Sequence, residues 1–410
     1  NIVAIASQRN DTNGDNSGHV RVYQRDETNT TVAPIGWTQL GDNIDGEAAS
    51  DYSGYRISMN DDGTIIAITA PWNDGNGGSS GHVRIYEYNG SAWNQLGNDI
   101  DGEAANDQCG QSVSLNGNGT IIAIGSPWND DNGEDTGHVR IWQRDTNAAL
   151  GWTQLGSGIV GELEGTGQAV SISNDGNIVA IGTRIHSVTS GQVRVWQRDT
   201  NSALGWTQIG DDIGDAAADY SGLRIAMNSD GTIIVIGAYG NVNTYNSSGH
   251  VRVYEYNGSA WIKLGSDIIG DEDNAYLGKA ISINSAGNII AIGHDYKTVN
   301  DSAMVGLVRV YEYNGSEWNQ LGNDIDGISF GEEFGGAVSL NSSGSIVAAG
   351  CRFHSSNPYS RSGGARIYET GATNIETTTI NVNQIHPELT NLTVSTSNSN
   401  SSLAITNDMI

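Results

Sequence analysis

The chain is poor in cysteine (2), proline (5), phenylalanine (3) and cations (19 Lys and Arg against 47 Asp and Glu, net −28 over 410 residues). Each scarcity excludes something. Two cysteines cannot frame a disulfide-held miniprotein. So acidic a chain offers no basic face for nucleic acid. No apolar run approaches the ~18 residues a membrane helix needs, and no amphipathic helix is legible. Signatures of chemistry are missing too: there is no phosphate loop or His-x-x-x-His spacing, and no legible helix for a Ser nucleophile elbow or a Rossmann fingerprint to open. Carboxylates are plentiful, but nothing singles out a glycosidase pair. The expectation is a protein that is not an enzyme.

Glycine is abundant, 55 residues or roughly double the usual share of about 7%. It has no three-residue period, so collagen is excluded. Its positions follow a longer repeat. A strand of the type Gly-x-Val-Arg-Val-Tyr recurs at 18–23, 81–86, 137–142, 191–196, 249–254, 306–311 and 363–368. Seven copies at a mean period of 57.5 residues fill the chain as one domain, 1–410. Within a repeat, a small/apolar strand A (SVSLN, 112–116) meets a four-residue turn ending in Gly. A β-branched strand B (TIIAIGSP, 120–127) follows, as expected of a strand buried on both faces. An Asn/Asp/Gly loop leads to strand C (HVRIWQ), and a polar turn leads to strand D (WTQLG, 152–156). Four short antiparallel strands repeated radially predict an all-β, seven-bladed β-propeller. The alternative is an open β-solenoid, whose repeats are usually much shorter.

The chain begins at strand B (NIVAIAS, 1–7) and ends on SLAITND (402–408), which reads as a strand A with its turn. The prediction is that this C-terminal strand pairs beside the N-terminal one and closes blade one. The last blade lacks a WxQLG strand D, and IETTTINV (375–382) is the best substitute. The Thr/Ser/Asn-rich tail 371–410 thus supplies closing strands, or alternatively is a linker.

The A–B–C–D order is similar to the WD-repeat pattern, with a longer period. It more closely resembles the FG-GAP repeat of integrin α-subunit propellers and secreted surface proteins. That motif has Phe-Gly before strand A and Gly-Ala-Pro ending strand B. Here Phe334-Gly335 stands in blade seven, and TAP (69–71) and GSP (125–127) end strand B in blades two and three. The Phe-Gly position elsewhere reads YSG (52–54, 220–222), QCG (108–110) or YLG (276–278). The repeat also looks like arrays in large surface proteins of marine microbes and algae. The resemblance implies an extracellular, cell-surface setting. One departure matters: calcium-binding FG-GAP blades carry D-x-D-x-D-G between strands A and B, whereas these turns are too short to wrap a cation.

B–C loops and D–A connectors should emerge on one face, and both are acidic. The sharp expectation there is Ca²⁺, on Asp11, Asn13 and Asp15, on Asp74 and Asn76, and on Asp130, Asn132 and Asp135. The bland one is that Asn, Asp and Gly are turn formers. The strand C arginines (Arg21, Arg84, Arg140, Arg194, Arg252, Arg309, Arg366) should lie between blades and pair with connector acids. The tryptophans opening strand D (Trp37, Trp93, Trp152, Trp206, Trp261, Trp318) read as packing residues, and so do Trp142 and Trp196. Trp72 and Trp128 differ: each follows Pro at the mouth of an Asp-rich loop, a suitable platform for a sugar face, with loop anchoring as the alternative. His19, His82, His138 and His250 fill a repeat position and read as structural; Cys109 and Cys351 lie in separate blades and read as unpaired. Sequons at Asn89, Asn257 and Asn314 share the C–D turn NGS and could carry glycans.

The functional expectation is a non-enzymatic extracellular adhesion or protein-interaction module of a surface or appendage protein. The alternatives are a lectin-like propeller with a glycan ligand at Trp72 and Trp128, or a self-assembling protomer of an extracellular filament. Neither nucleic acid nor membrane insertion is expected.

Overall fold

The computed structural model describes residues 2–31, 34, 36–162, 165–184, 191–214, 220–240, 247–274, 276–298, 304–354, 362–370, 378–380 and 391–395. These form seven antiparallel sheets arranged as the blades of a propeller. Among the described residues, no helix is long and apolar enough to cross a membrane. Blade two shows the pattern. Strand A is Ile57–Met59, B is Ile65–Ala70, C is His82–Tyr88 and D is Trp93–Gln95, hydrogen-bonded in that order. A two-residue strand, Ile100–Asp101, then returns to pair with the start of C. Strand B is buried along its whole length, as its β-branched run requires between two neighbouring blades.

The A strands neighbour one another around the axis, and three sets of bonds bind blade to blade. Strand A serines accept N–H groups from the next A strand: Ser58 from Leu115 (2.9 Å), Ser114 from Ile172 (3.1 Å) and Ser282 from Leu340 (2.8 Å). At the A–B turns, backbone N–H groups pass around the axis from Asp61 to Gly117, Asn174, Ser229, Ser285 and Ser342 in succession, at 2.8–3.3 Å. At the periphery, the strand D indoles of blades two to six donate to a carbonyl at the end of the preceding blade's strand D. Trp93 bonds Leu40, Trp152 bonds Leu96, Trp206 bonds Leu155, Trp261 bonds Ile209 and Trp318 bonds Leu264. Trp37 stands where blade one meets blade seven, which has no WxQLG strand. Its buried indole N–H finds no acceptor among the described residues.

The glycine opening strand C has a structural reason. Gly18, Gly137, Gly249 and Gly306 bridge to Ser53, Thr166, Leu277 and Phe334, the Phe-Gly positions of the following blades. At Gly306, φ is +77°, and a Cβ would collide with the Phe334 carbonyl oxygen. The approach of two backbones here leaves room only for hydrogen.

In blade seven, Thr378–Ile380 pairs with strand C, inside the segment expected to replace strand D. In blade one, Asn391–Ser395 pairs antiparallel with Ile2–Ser7, Val3 opposite Val394, and occupies the innermost position. This corrects the assignment to 402–408, a segment that lies outside the described residues. NLTVS and SLAIT both alternate apolar and small polar residues, so pattern alone fits either to the slot.

Candidate functional site

Where strands B end and strands A begin, their side chains converge on the axis around a pocket of about 480 Å³. Strand B ends contribute Gln8, Arg9, Trp72, Trp128, Arg184 and Tyr239. Strand A entries contribute Tyr52, Tyr55, Gln108, Gln111, Gln168 and Leu223. Trp72 and Trp128, the two tryptophans outside the repeat pattern, therefore share one cavity, and both are half-buried. Tyr52 and Tyr55 meet Trp72 edge to face at 5.1 and 4.9 Å. On the far side Tyr239 stacks on Tyr220 at 5.6 Å and meets Tyr276 at 6.4 Å.

The rim is held in an uncommon backbone conformation. Tyr52, Gln108, Tyr220, Tyr276 and Glu333 occupy one repeat position, all with φ between +49° and +56°. For a side chain larger than glycine this costs on the order of 1–2 kcal/mol. Bonds from the B–C loop hold it: the Tyr52, Gln108 and Tyr276 N–H groups donate to carbonyls of Asn16, Ser79 and Ser247 at 3.0–3.1 Å. Gln111 is buried and its amide donates to Gln108 at 2.6 Å. Gln8 is also buried, at 4% exposure, and its amide oxygen has no partner among the described residues.

The pocket inverts the charge around it. Its described lining carries Arg9 and Arg184 and no Asp or Glu, in a chain of net −28. Arg184 lies 5.4 Å from the Tyr220 ring centroid. The strand C arginines, by contrast, are engaged between blades. Arg84 meets Glu47 at 3.4 Å, Arg140 meets Glu103 at 3.5 Å, Arg194 meets Asp212, Arg252 meets Asp267 and Arg309 meets Asp271 and Asp324. Arg366 pairs with Glu332, both buried. Arg21 instead donates to Asn43 at 2.9 Å.

The loops proposed for calcium form a strap. Asp11, Asp74 and Asp130 each accept a backbone N–H five residues on, at 2.7–2.8 Å. Asn13, Asn76 and Asn132 turn their amide nitrogens to the carbonyls of Gly46, Gly102 and Gly161 on the D–A connector, at 2.8–2.9 Å. Asp15 and Asp135 give backbone carbonyls to the same connectors, at Ser50 and Gly165. The loops and connectors thus share one face. Tighter groupings lie beside them: Glu47, His82 and Asp99, and Glu103, Asp131 and His138, with ligand atoms within 4.8 Å of one another. Each contains the carboxylate that already meets a strand C arginine. Asn89, Asn257 and Asn314 are exposed in the C–D turns, on the face opposite the pocket, each accepting N–H from the serine two residues on. Cys109 and Cys351 are buried and unpaired.

The repeat-position histidines make a pH prediction. Burial, with Arg21, Arg84 and Arg140 adding to it, lowers His19, His82 and His138 to about 4. Burial and Arg309 lower His294 to about 3. Each is neutral when folded, so below about pH 6.5 the unfolded chain binds more protons. Stability is full above that pH and is lost as pH falls. Asp61, raised to about 6 by burial, and Asp45, Glu47, Asp51, Asp101 and Asp326, also raised by burial, act oppositely and blunt the fall rather than reverse it, since the unfolded histidines begin to bind protons at a higher pH than the carboxylates. The urea midpoint should hold from pH 8 to 7 and fall steadily from 6.5 to 5; a flat profile over that range would refute the assignment.

Comparison with known proteins agrees with the architecture. Residues 100–141 match the FG-GAP repeat model, a segment that includes Cys109-Gly110 and the GSP of strand B. No curated protein matches the sequence. Among solved structures, a protein provisionally described as a 6-phosphogluconolactonase from Bacteroides uniformis superposes with TM-score 0.60 at 12% identity, over 94% of this chain and 96% of its own. The periplasmic gluconolactonase of Pseudomonas aeruginosa superposes with TM-score 0.57 at 12% identity, over 95% and 98%. These likenesses show the fold alone. They nevertheless overturn the expectation that this is no enzyme. Propellers of this architecture are described as lactonases, so missing sequence motifs do not exclude chemistry in such a ring. Seven copies of one four-stranded blade, with the FG-GAP match across the second and third, make this chain an FG-GAP-like seven-bladed β-propeller.

Proposed function

We propose that this chain is an extracellular adhesion module whose ligand is a saccharide held in the axial pocket. The observation that carries this reading is the meeting of Trp72 and Trp128 in one cavity of about 480 Å³, within the range of small-molecule sites. Indole faces suit the C–H face of a sugar ring, and the glutamine amides and tyrosine hydroxyls around them suit its hydroxyls. The FG-GAP resemblance and the acidic, lysine-poor composition support the surface setting. On a glycan array, the native chain should give a defined set of hits, and Trp72→Ala or Trp128→Ala should weaken them about tenfold or more. Hits that survive both substitutions would move the ligand away from this pocket.

A further inference from the structure

The electrostatics of the same pocket say more about its ligand, on the premise that the ligand is a saccharide. In a ring whose loop face is strongly acidic, a pocket lined by two arginines and, among the described residues, no carboxylate is a local reversal of sign. The reversal is not a by-product of blade packing: the strand C arginines meet acids between blades, and the buried arginines at the start of strand A, Arg56 and Arg224, bond carbonyls of the next blade and do not line the pocket. Arg184 closes strand B of blade four, where blades two and three have proline. It makes no ion pair among the described residues and rests over Tyr220. A guanidinium held on an aromatic face keeps its donors in a fixed plane, the geometry that recognises a planar or tetrahedral oxyanion. Arg9, from blade one, lines the same cavity. Gln8 adds a buried amide oxygen that needs a donor, which an anion alone cannot supply and a sugar hydroxyl can. We infer that the axial pocket selects an acidic saccharide, a sugar ring bearing a carboxylate or sulfate that Arg184 binds while Trp72 and Trp128 hold the ring.

The test is titration calorimetry with matched pairs: D-glucuronate and D-glucose 6-sulfate against D-glucose, and D-galacturonate against D-galactose. At least one acid should bind about tenfold more tightly than its neutral partner, and added salt should erode that preference. Arg184→Gln should abolish the preference, bringing the affinities of each acid and its neutral partner together. Trp128→Ala should weaken acid and neutral forms alike. The carboxylate and sulfate arms show which anion is preferred. Equal or weaker binding of every acid than of its neutral partner, or a preference that survives Arg184→Gln, overturns the inference and leaves the saccharide reading standing. Failure of every sugar to bind, or binding indifferent to Trp128→Ala, overturns both.

Discussion

Replacing Arg366 with leucine should lower the unfolding free energy by about 3–5 kcal/mol. Arg366 is 1% exposed and Glu332 is fully buried. They pair across the connector between blades six and seven. Glu332 also accepts N–H bonds from Ile328 and Ser329, which shape that connector. Removing the arginine strands a carboxylate where water cannot reach it, and desolvation of the survivor dominates the loss. Two controls separate this from a generic effect of losing a strand C arginine. Arg21→Leu should cost well under 1 kcal/mol, because Arg21 is half-buried and bonds a neutral amide. Adding Glu332→Leu to Arg366→Leu should recover part of the loss, since two apolar side chains leave no buried charge. Denaturant midpoints measure all three; a double variant weaker than the single would reject the stranded-charge account.

Gly306→Val should be comparably severe, about 2–5 kcal/mol. Two costs add there. The residue sits at φ +77°, where a side chain costs about 1–2 kcal/mol. A Cβ would also strike the Phe334 carbonyl, and relieving overpacking costs roughly 1–3 kcal/mol more. The collision falls on the bridge that joins strand C of blade six to strand A of blade seven, so the damage is to a blade junction. Gly315 is the control. Its φ is +97°, but nothing lies within 4 Å of its would-be Cβ, so Gly315→Val should show the conformational cost alone. Equal losses in the two variants would mean the contact with Phe334 is irrelevant.

Much of the ring was legible in the sequence because its constraints are local and repeated. The Gly-x-Val-Arg-Val-Tyr strand carries its own reasons: glycine for the bridge, β-branched residues for a blade covered on both sides, arginine for the connector acids. Loop chemistry was harder. Asn13, Asn76 and Asn132 suit a cation or a turn equally by residue type, and only their bonds to Gly46, Gly102 and Gly161 show them as straps. Trp72 and Trp128 stood out by breaking the repeat. Gln8, Arg9, Arg184 and Tyr239 break it at the same columns but were not singled out, because polar, charged or aromatic side chains at strand ends are ordinary. Tyr52 and Tyr55 were hidden beside the Phe-Gly position.

The sequence by itself determined the blade, the number of blades and the pairing of all the strand C arginines but Arg21 with acids, because each follows from a period, a residue type or a charge balance. The tertiary structure alone decided the pocket and its sign. Its walls come from the ends of strands separated by whole blades, and no local pattern records that closing a ring brings residues 9, 72, 128 and 184 to one axis. It also decided the sign of that pocket: its described lining carries two arginines and no carboxylate, while the connector acids meet the strand C arginines between blades.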